Sequence, residues 1–201
     1  MGAQLAQFYS LAKQQGGLQA QIKLAVITKM PSSAASAAVD SVARQGRPLI
    51  LLSPRGVPFT QARARELARG PGAVLVCGRY EGIDERVIEA RNMIEISMGD
   101  FVLSGGELAA MALIDACVRL LPGVVGDEQS LEDESFEDGL LEYPQYTRPP
   151  AWEGREIPSI LMSGHHQRIR EWRRERAIEL TKARRPDMWD AYLKRAPKTK
   201  H

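Results

Sequence analysis

The sequence predicts an α/β fold built on a parallel sheet, with a small helical region after it. Three observations carry that prediction. Short apolar runs alternate with segments of helical period, glycine-bearing blocks follow two of those runs, and a basic helical segment closes the chain behind an acidic stretch. Alternation of buried runs with helices is the pattern of a parallel sheet covered on both faces.

Ile22–Ile27 reads as the first strand, ended by Met30-Pro31-Ser32-Ser33, after a helix over Met1–Gly17. Ala34–Arg44 follows as a helix closed by Gly46. Leu49–Leu52 is a buried strand between Pro48 and the turn Ser53-Pro54-Arg55-Gly56, punctuation typical of a strand end. Thr60 can cap a helix running to Ala68, with Gly70 as its stop. Ala73–Cys77 and Met93–Ser97 are further strands, separated by a helix over Asp84–Glu89. Ser104-Gly105-Gly106-Glu107 has the capping-box pattern and opens a helix to Leu121, stopped by Pro122-Gly123. Asp127–Asp138 lacks periodicity and reads as a mobile linker. Ser163 caps a long helix over about Gly164–Arg184, ended by Pro186.

At 201 residues the chain holds one full domain, or one with a smaller one appended. Its net charge is only +2, yet the sign is segregated. Leu120–Thr147 has no Lys or Arg and eight acids. After Ser163 the balance reverses, with Arg168, Arg170, Arg173, Arg174 and Arg176 on one predicted helix. That asymmetry points to an acidic linker beside a basic binding surface. Cys77 and Cys117 lie far apart in apolar surroundings, which argues against a disulfide framework or zinc site and for a reducing, cytoplasmic setting. No signal-peptide layout opens the chain, and no apolar run approaches the ~20 residues of a membrane span.

The glycine blocks are Cys77–Arg86 and Ser97–Leu108. They fit neither the Walker nor the dinucleotide fingerprint, whose glycine spacings differ. Glycine lets a ligand approach naked backbone, and ligands of such sheets sit beyond the carboxyl ends of the strands. Both blocks, and Ser53–Gly56, lie at those ends. Further along come Leu113-Ile114-Asp115 with Arg119, then Leu140-Leu141-Glu142-Tyr143-Pro144-Gln145-Tyr146-Thr147-Arg148-Pro149. Leu161-Met162-Ser163-Gly164-His165-His166 and Ile169-Arg170-Glu171-Trp172-Arg173 complete the series. From about Leu49 to Asp187 this order of motifs resembles the bacterial tRNA (guanine-37-N1)-methyltransferase family, the TrmD family of the SPOUT class.

The resemblance implies a trefoil-knotted parallel sheet, an exception to the rule that chains avoid threading, and S-adenosylmethionine bound among three loops. Carried over by position, those loops are Leu52, Ser53, Pro54 and Gly56; Gly78, Arg79, Tyr80 and Glu81; and Met98, Gly99, Asp100, Phe101, Val102 and Leu103 with Gly105 and Gly106. Leu52, Met98 and Leu103 can enclose the adenine. Phe101 stands where the family has Tyr, and Ala109 where it has Pro. Methylation of guanine N1 requires removal of its proton, a task for a carboxylate, with a cation to stabilise charge at O6. The family places its base, an Asp, directly before Ser-Phe in the linker. Here Glu134 occupies that place, with Asp133 before it as the alternative, and Arg119 is the assisting cation. Ser163, His165, His166, Arg168, Arg173 and Arg174 become candidates for the tRNA anticodon stem-loop, and Trp172 a packing anchor. No metal site is expected. Family members are homodimers that share linkers between active sites.

The expected organisation is a knotted cofactor-binding domain over residues 1–126, a linker over 127–138, and a helical tRNA-binding domain over 139–201. Residues 1–45 depart from the family: the glycine triplet of its guanine pocket is absent. The alternative function is therefore a scaffold that binds cofactor and tRNA without catalysis.

Overall fold

Alternating side chains on four short strands set the architecture. The structure is a computed structural model that describes residues 31–42, 46–79, 82–124, 134–136 and 138–195, and the backbone of 23–27. The helix expected over 1–17, and the candidates Tyr80, Glu81 and Asp133, lie outside the described residues. The chain divides into two compact units, Met1–Gly126 and Asp127–His201.

In the first unit β1 (Lys23–Ile27), β2 (Leu49–Pro58), β3 (Val74–Gly78) and β4 (Ile94–Ser97) form one parallel sheet in the order β1-β3-β2-β4. Helices α1 (Ser32–Asp40), α2 (Gln61–Arg69) and α3 (Glu85–Ala90) make the crossovers, and α4 (Gly106–Val118) follows β4. Because strand side chains alternate, Ile50, Leu52, Leu75, Cys77 and Ile96 face one way, under Ala64 of α2 and Ala110 and Leu113 of α4. Leu49, Leu51, Val74 and Val76 face the other, under Ala35 and Val39 of α1 and Val87 and Ile88 of α3. Along Leu49–Leu52 and Val74–Cys77 both faces are dry, which is why those strands read as unbroken apolar runs. The sheet includes an edge strand from the N-terminal region: β1 lies along β3 from Lys23↔Val74 to Ile27↔Gly78.

Helix ends follow local side-chain chemistry. Thr60 Oγ1 accepts from the Arg63 N–H at 3.3 Å and caps α2. Asp84 accepts from the Arg86 N–H at 2.9 Å, so α3 begins at Glu85 and not at Asp84. The Arg86 guanidinium on the same carboxylate holds Asp84 below the usual carboxylate range. The capping box expected at Ser104–Glu107 does not form. Gly105 is the cap of α4, and Glu107 is taken instead by Arg79.

β2 departs from expectation in an informative way. It was expected to end at Leu52, but it runs to Pro58, because β4 pairs with it twice. Leu52 and Val57 both oppose Ile96, and Ser53–Gly56 bulge out between the two paired flanks. The Phe59 N–H then donates to the Ser97 carbonyl at 2.7 Å. At Gly56 the returning chain presses on β4: a Cβ there would lie 2.6 Å from the Glu95 carbonyl oxygen and nearer still to the Ile96 nitrogen.

The second unit is held by α5 (His166–Arg184) and α6 (Pro186–Arg195), preceded by a hairpin of β5 (Ala151–Trp152) and β6 (Arg155–Glu156) and a 3-10 turn at Ser159–Met162. The hairpin and α6 were not foreseen. Pro186 ends α5 and also opens α6, the first-turn position that tolerates a missing N–H. Lys182 lies 4.5 Å over the Trp189 ring and Arg174 donates to the Tyr192 hydroxyl at 2.9 Å, joining the two helices. None of the described helices is long and apolar enough to cross a membrane.

Candidate active site

Beside the bulge of β2 and the carboxyl ends of β3 and β4, three loops and the start of α4 enclose a cleft of about 330 Å³. The first loop contributes Leu52, Ser53 and Pro54; the second, Gly78 and Arg79; the third, Met98, Gly99, Phe101, Val102 and Leu103, then Gly105 and Gly106. Motifs some 50 residues apart in the chain thus converge on one concavity. Gly56 and Asp100 do not line it; at Gly56 the approach of β4 leaves no room for a Cβ. Gly106 is where α4 meets β3, since a Cβ there would sit 2.9 Å from the Cys77 Cα. The walls mix apolar side chains, including Leu51, Ile83 and Ile88, with exposed main chain.

Two arginines, in three ion pairs, brace the cleft. Arg79 forms an isolated antiparallel bridge with Gly105, and its Nε donates to Glu107 Oε1 at 2.7 Å. This ties the second loop to the first turn of α4, where a carboxylate is also favoured by the helix dipole. The Arg79 guanidinium thus serves the frame of the cleft. Arg55, at the tip of the first loop, donates to Glu85 at 2.8 Å and Glu95 at 3.1 Å. Those two carboxylates raise the Arg55 guanidinium above its ordinary value. Arg55, Glu95 and Glu107 were not among the sequence candidates. Glu107 carried a legible signal, an acid in the first helical turn; the partners of Arg55 lie too far along the chain to be read.

Burial and then the Glu107 charge push the Cys77 thiol up to about 12, and burial pushes Cys117 up to about 11. Both are inert core groups. Arg119 is the C-cap of α4, and 13 helical residues span about 20 Å. It therefore stands at the opposite end of that helix from the cleft.

In the second unit a groove of about 810 Å³ runs between the Leu140–Tyr146 segment and α5. Glu134, Glu142, His166, Arg170, Arg173 and Arg174 all border it. Arg173 stacks 4.6 Å over Tyr143, and Trp172 packs at 6.3 Å against Tyr146. Trp172 is thus an anchor for the segment. Ser163 does not cap α5, contrary to expectation: its Oγ donates to the Ile160 carbonyl at 2.7 Å and accepts from the His165 N–H at 3.2 Å. His165 is the cap residue, without a side-chain bond. His165, His166 and Arg168 are exposed around the helix start. Among the described residues no group of three His, Cys, Asp or Glu could hold a metal ion.

Comparison with known proteins points one way. A family model for tRNA (guanine-1)-methyltransferase TrmD matches residues 25–191. The match begins inside β1, well before the motifs that carry the resemblance. A tRNA (guanine-N(1)-)-methyltransferase of Brucella ovis is 59% identical over 165 residues, covering 82% of this chain and 68% of that protein. The protein of the same name from Brucella suis is 59% identical over 165 residues, with 82% and 67% covered.

Proposed function

The chain belongs to the TrmD family of tRNA (guanine-1)-methyltransferases, and we propose that it methylates N1 of guanine 37 in the anticodon loop of tRNA. The observation that best supports this reading is the convergence of three separated loops on one cleft beside the bulge of β2 and the carboxyl ends of β3 and β4. The cleft fits S-adenosylmethionine in size, since small-molecule sites start at about 300 Å³. It fits in chemistry too, offering apolar walls for a purine and bare backbone for its polar edge. When bound there, S-adenosylmethionine supplies an electrophilic methyl group.

The residues divide the work. Leu52, Met98 and Leu103 enclose the adenine, while main chain at Gly78, Gly105 and Gly106 meets the polar atoms. Tyr80 and Glu81 belong to the same loop motif. Glu134, with Asp133 as the alternative, takes the proton from guanine N1, freeing the ring lone pair for the methyl. Arg119 stabilises the negative charge that grows on O6. Arg119 lies a helix length from the cleft of its own unit, which is the placement expected if each site in a homodimer draws on the partner's residues. Arg168, His165, His166 and Ser163 bind tRNA phosphates beside Arg173 and Arg174. The sheet takes the family's trefoil knot. The linker over 127–138 and the helical tRNA-binding domain over 139–201 follow it. Two buried unpaired thiols suit a reducing cytoplasm. The alternative, a scaffold without catalysis, gains nothing from the close relatives.

The test is transfer of labelled methyl from S-adenosylmethionine to two tRNA transcripts that differ only in guanine or adenine at position 37. Label in the guanine transcript alone is expected. Equal labelling of both, or of neither, would overturn the reading.

A further inference from the structure

Glu134 stands next to a strained turn. Phe136, an aromatic residue, adopts a left-handed backbone with φ +78°, a conformation costing on the order of 1–3 kcal/mol and kept only where neighbours enforce it. The residue is 46% exposed, so burial is not what enforces it. The hydrogen bonds are. The Phe136 N–H donates to the Leu140 carbonyl at 2.8 Å, and the Glu142 N–H donates to Ser135 Oγ at 2.9 Å. Between them the Leu141 N–H donates to Thr181 Oγ1 at 2.8 Å. Thr181 is fully buried in α5 and donates in turn to the Ala177 carbonyl at 2.7 Å. Leu140–Glu142 therefore grips the turn through its outer residues and the long helix through its middle one.

We infer that Ser135 is a positioning residue: its hydroxyl, through Glu142 and the Leu141–Thr181 bond, fixes the Glu134 carboxylate in the groove relative to α5. This rests on Glu134 being the base. A base must lie within hydrogen-bond reach of the proton it removes, and small misplacements of reacting groups cost large factors in rate. A carboxylate on an unbraced linker would have to be ordered in every turnover. Here the ordering is built in beforehand, with strain at Phe136 balanced by three backbone donors.

The test compares Ser135→Ala, Ser135→Thr, Phe136→Gly and Glu134→Gln in the full chain. Two quantities are read: the single-turnover rate of methyl transfer at saturating tRNA and S-adenosylmethionine, and hydrogen exchange of the Glu142 amide, which needs no activity. Ser135→Ala should speed that exchange and slow transfer roughly tenfold, with both dissociation constants unchanged; Ser135→Thr, which keeps the hydroxyl, should restore both. Phe136→Gly relieves the strain and keeps every hydrogen bond of the turn, so its melting temperature should hold or rise with transfer close to the parent's. If Ser135→Ala fails to fold, Ser135→Cys, which keeps the size but offers a weak acceptor, takes its place. Wild-type transfer by Ser135→Ala, or by Ser135→Cys in its place, overturns the inference, as does unchanged exchange at Glu142. Normal transfer by Glu134→Gln with exchange altered in Ser135→Ala would strike the base assignment itself, and leave Ser135 nothing to position.

Discussion

One added methyl group at Gly56 should distort the cleft beside β2. In Gly56→Ala the new Cβ would start 2.6 Å from the Glu95 oxygen and closer to the Ile96 nitrogen, against an ordinary contact of 3.4 Å. The obstacle is backbone, so no side chain can swing aside, and the two chains must part by about 1 Å. That separation breaks the return pairing of Val57 with Ile96 and Pro58 with Ser97, and the Phe59 bond to Ser97. Two or three backbone hydrogen bonds at about 1 kcal/mol net each give a loss of roughly 2–3 kcal/mol. At about 2–4 °C per kcal/mol, the first unit should melt roughly 5–10 °C lower. Because Ser53 and Pro54 line the cleft just before Gly56, S-adenosylmethionine affinity measured by calorimetry should fall at least about tenfold, 1.4 kcal/mol. A variant that melts within about 2 °C of the parent and binds equally well would refute the claim that this glycine serves close approach.

Further outcomes follow from other sites. Glu107→Gln removes the charge that holds Arg79 yet keeps the shape; S-adenosylmethionine binding should weaken several-fold, and unchanged binding would show the clamp to be idle. Thr60→Ala should lower stability by about 1 kcal/mol through loss of the α2 cap, read from the urea midpoint. The native thiols should resist alkylation at pH 8. Their folded pKa values, about 12 for Cys77 and about 11 for Cys117, lie above the unfolded value of 9.0, so the stability they contribute is full below pH 9 and lost as pH rises through 11 to 12. A urea midpoint that holds steady across that alkaline range would contradict it. Arg168→Ala should weaken tRNA binding evenly across sequences and lower the salt slope by about 1.

How much of this was legible in the sequence depended on where the determining partner lies. Strands at Leu49 and Val74 announced themselves because both faces of the sheet are dry there. The three loops around the cleft were legible as motifs, and 12 of their 16 named residues line it. The second half of β2 was not, because its pairing is dictated by β4 roughly 40 residues later. Ser104–Glu107 looked like a capping box, yet Glu107 had a stronger claimant in Arg79, a charged partner outranking a backbone amide. Ser163 was read as a cap for the same local reason, and turns out to close the preceding 3-10 turn. Helix α6 was hidden behind a proline that both stops and starts a helix.

The strand order has a consequence for synthesis on the ribosome. β2 is central, flanked by β3 on one edge and β4 on the other. β3 leaves the ribosome soon after it, but β4 lies roughly 35 residues behind the end of β2, about 2–7 s of elongation at 5–20 residues per second. For that interval Leu49–Leu52 presents an unpaired apolar edge, the kind of surface that recruits a neighbouring nascent chain. The bulged Ser53–Gly56 loop, with its proline and arginine, sits at the end of that edge and interrupts it. The same four residues that shape the cleft thus cut short the template on which the unfinished chain could aggregate.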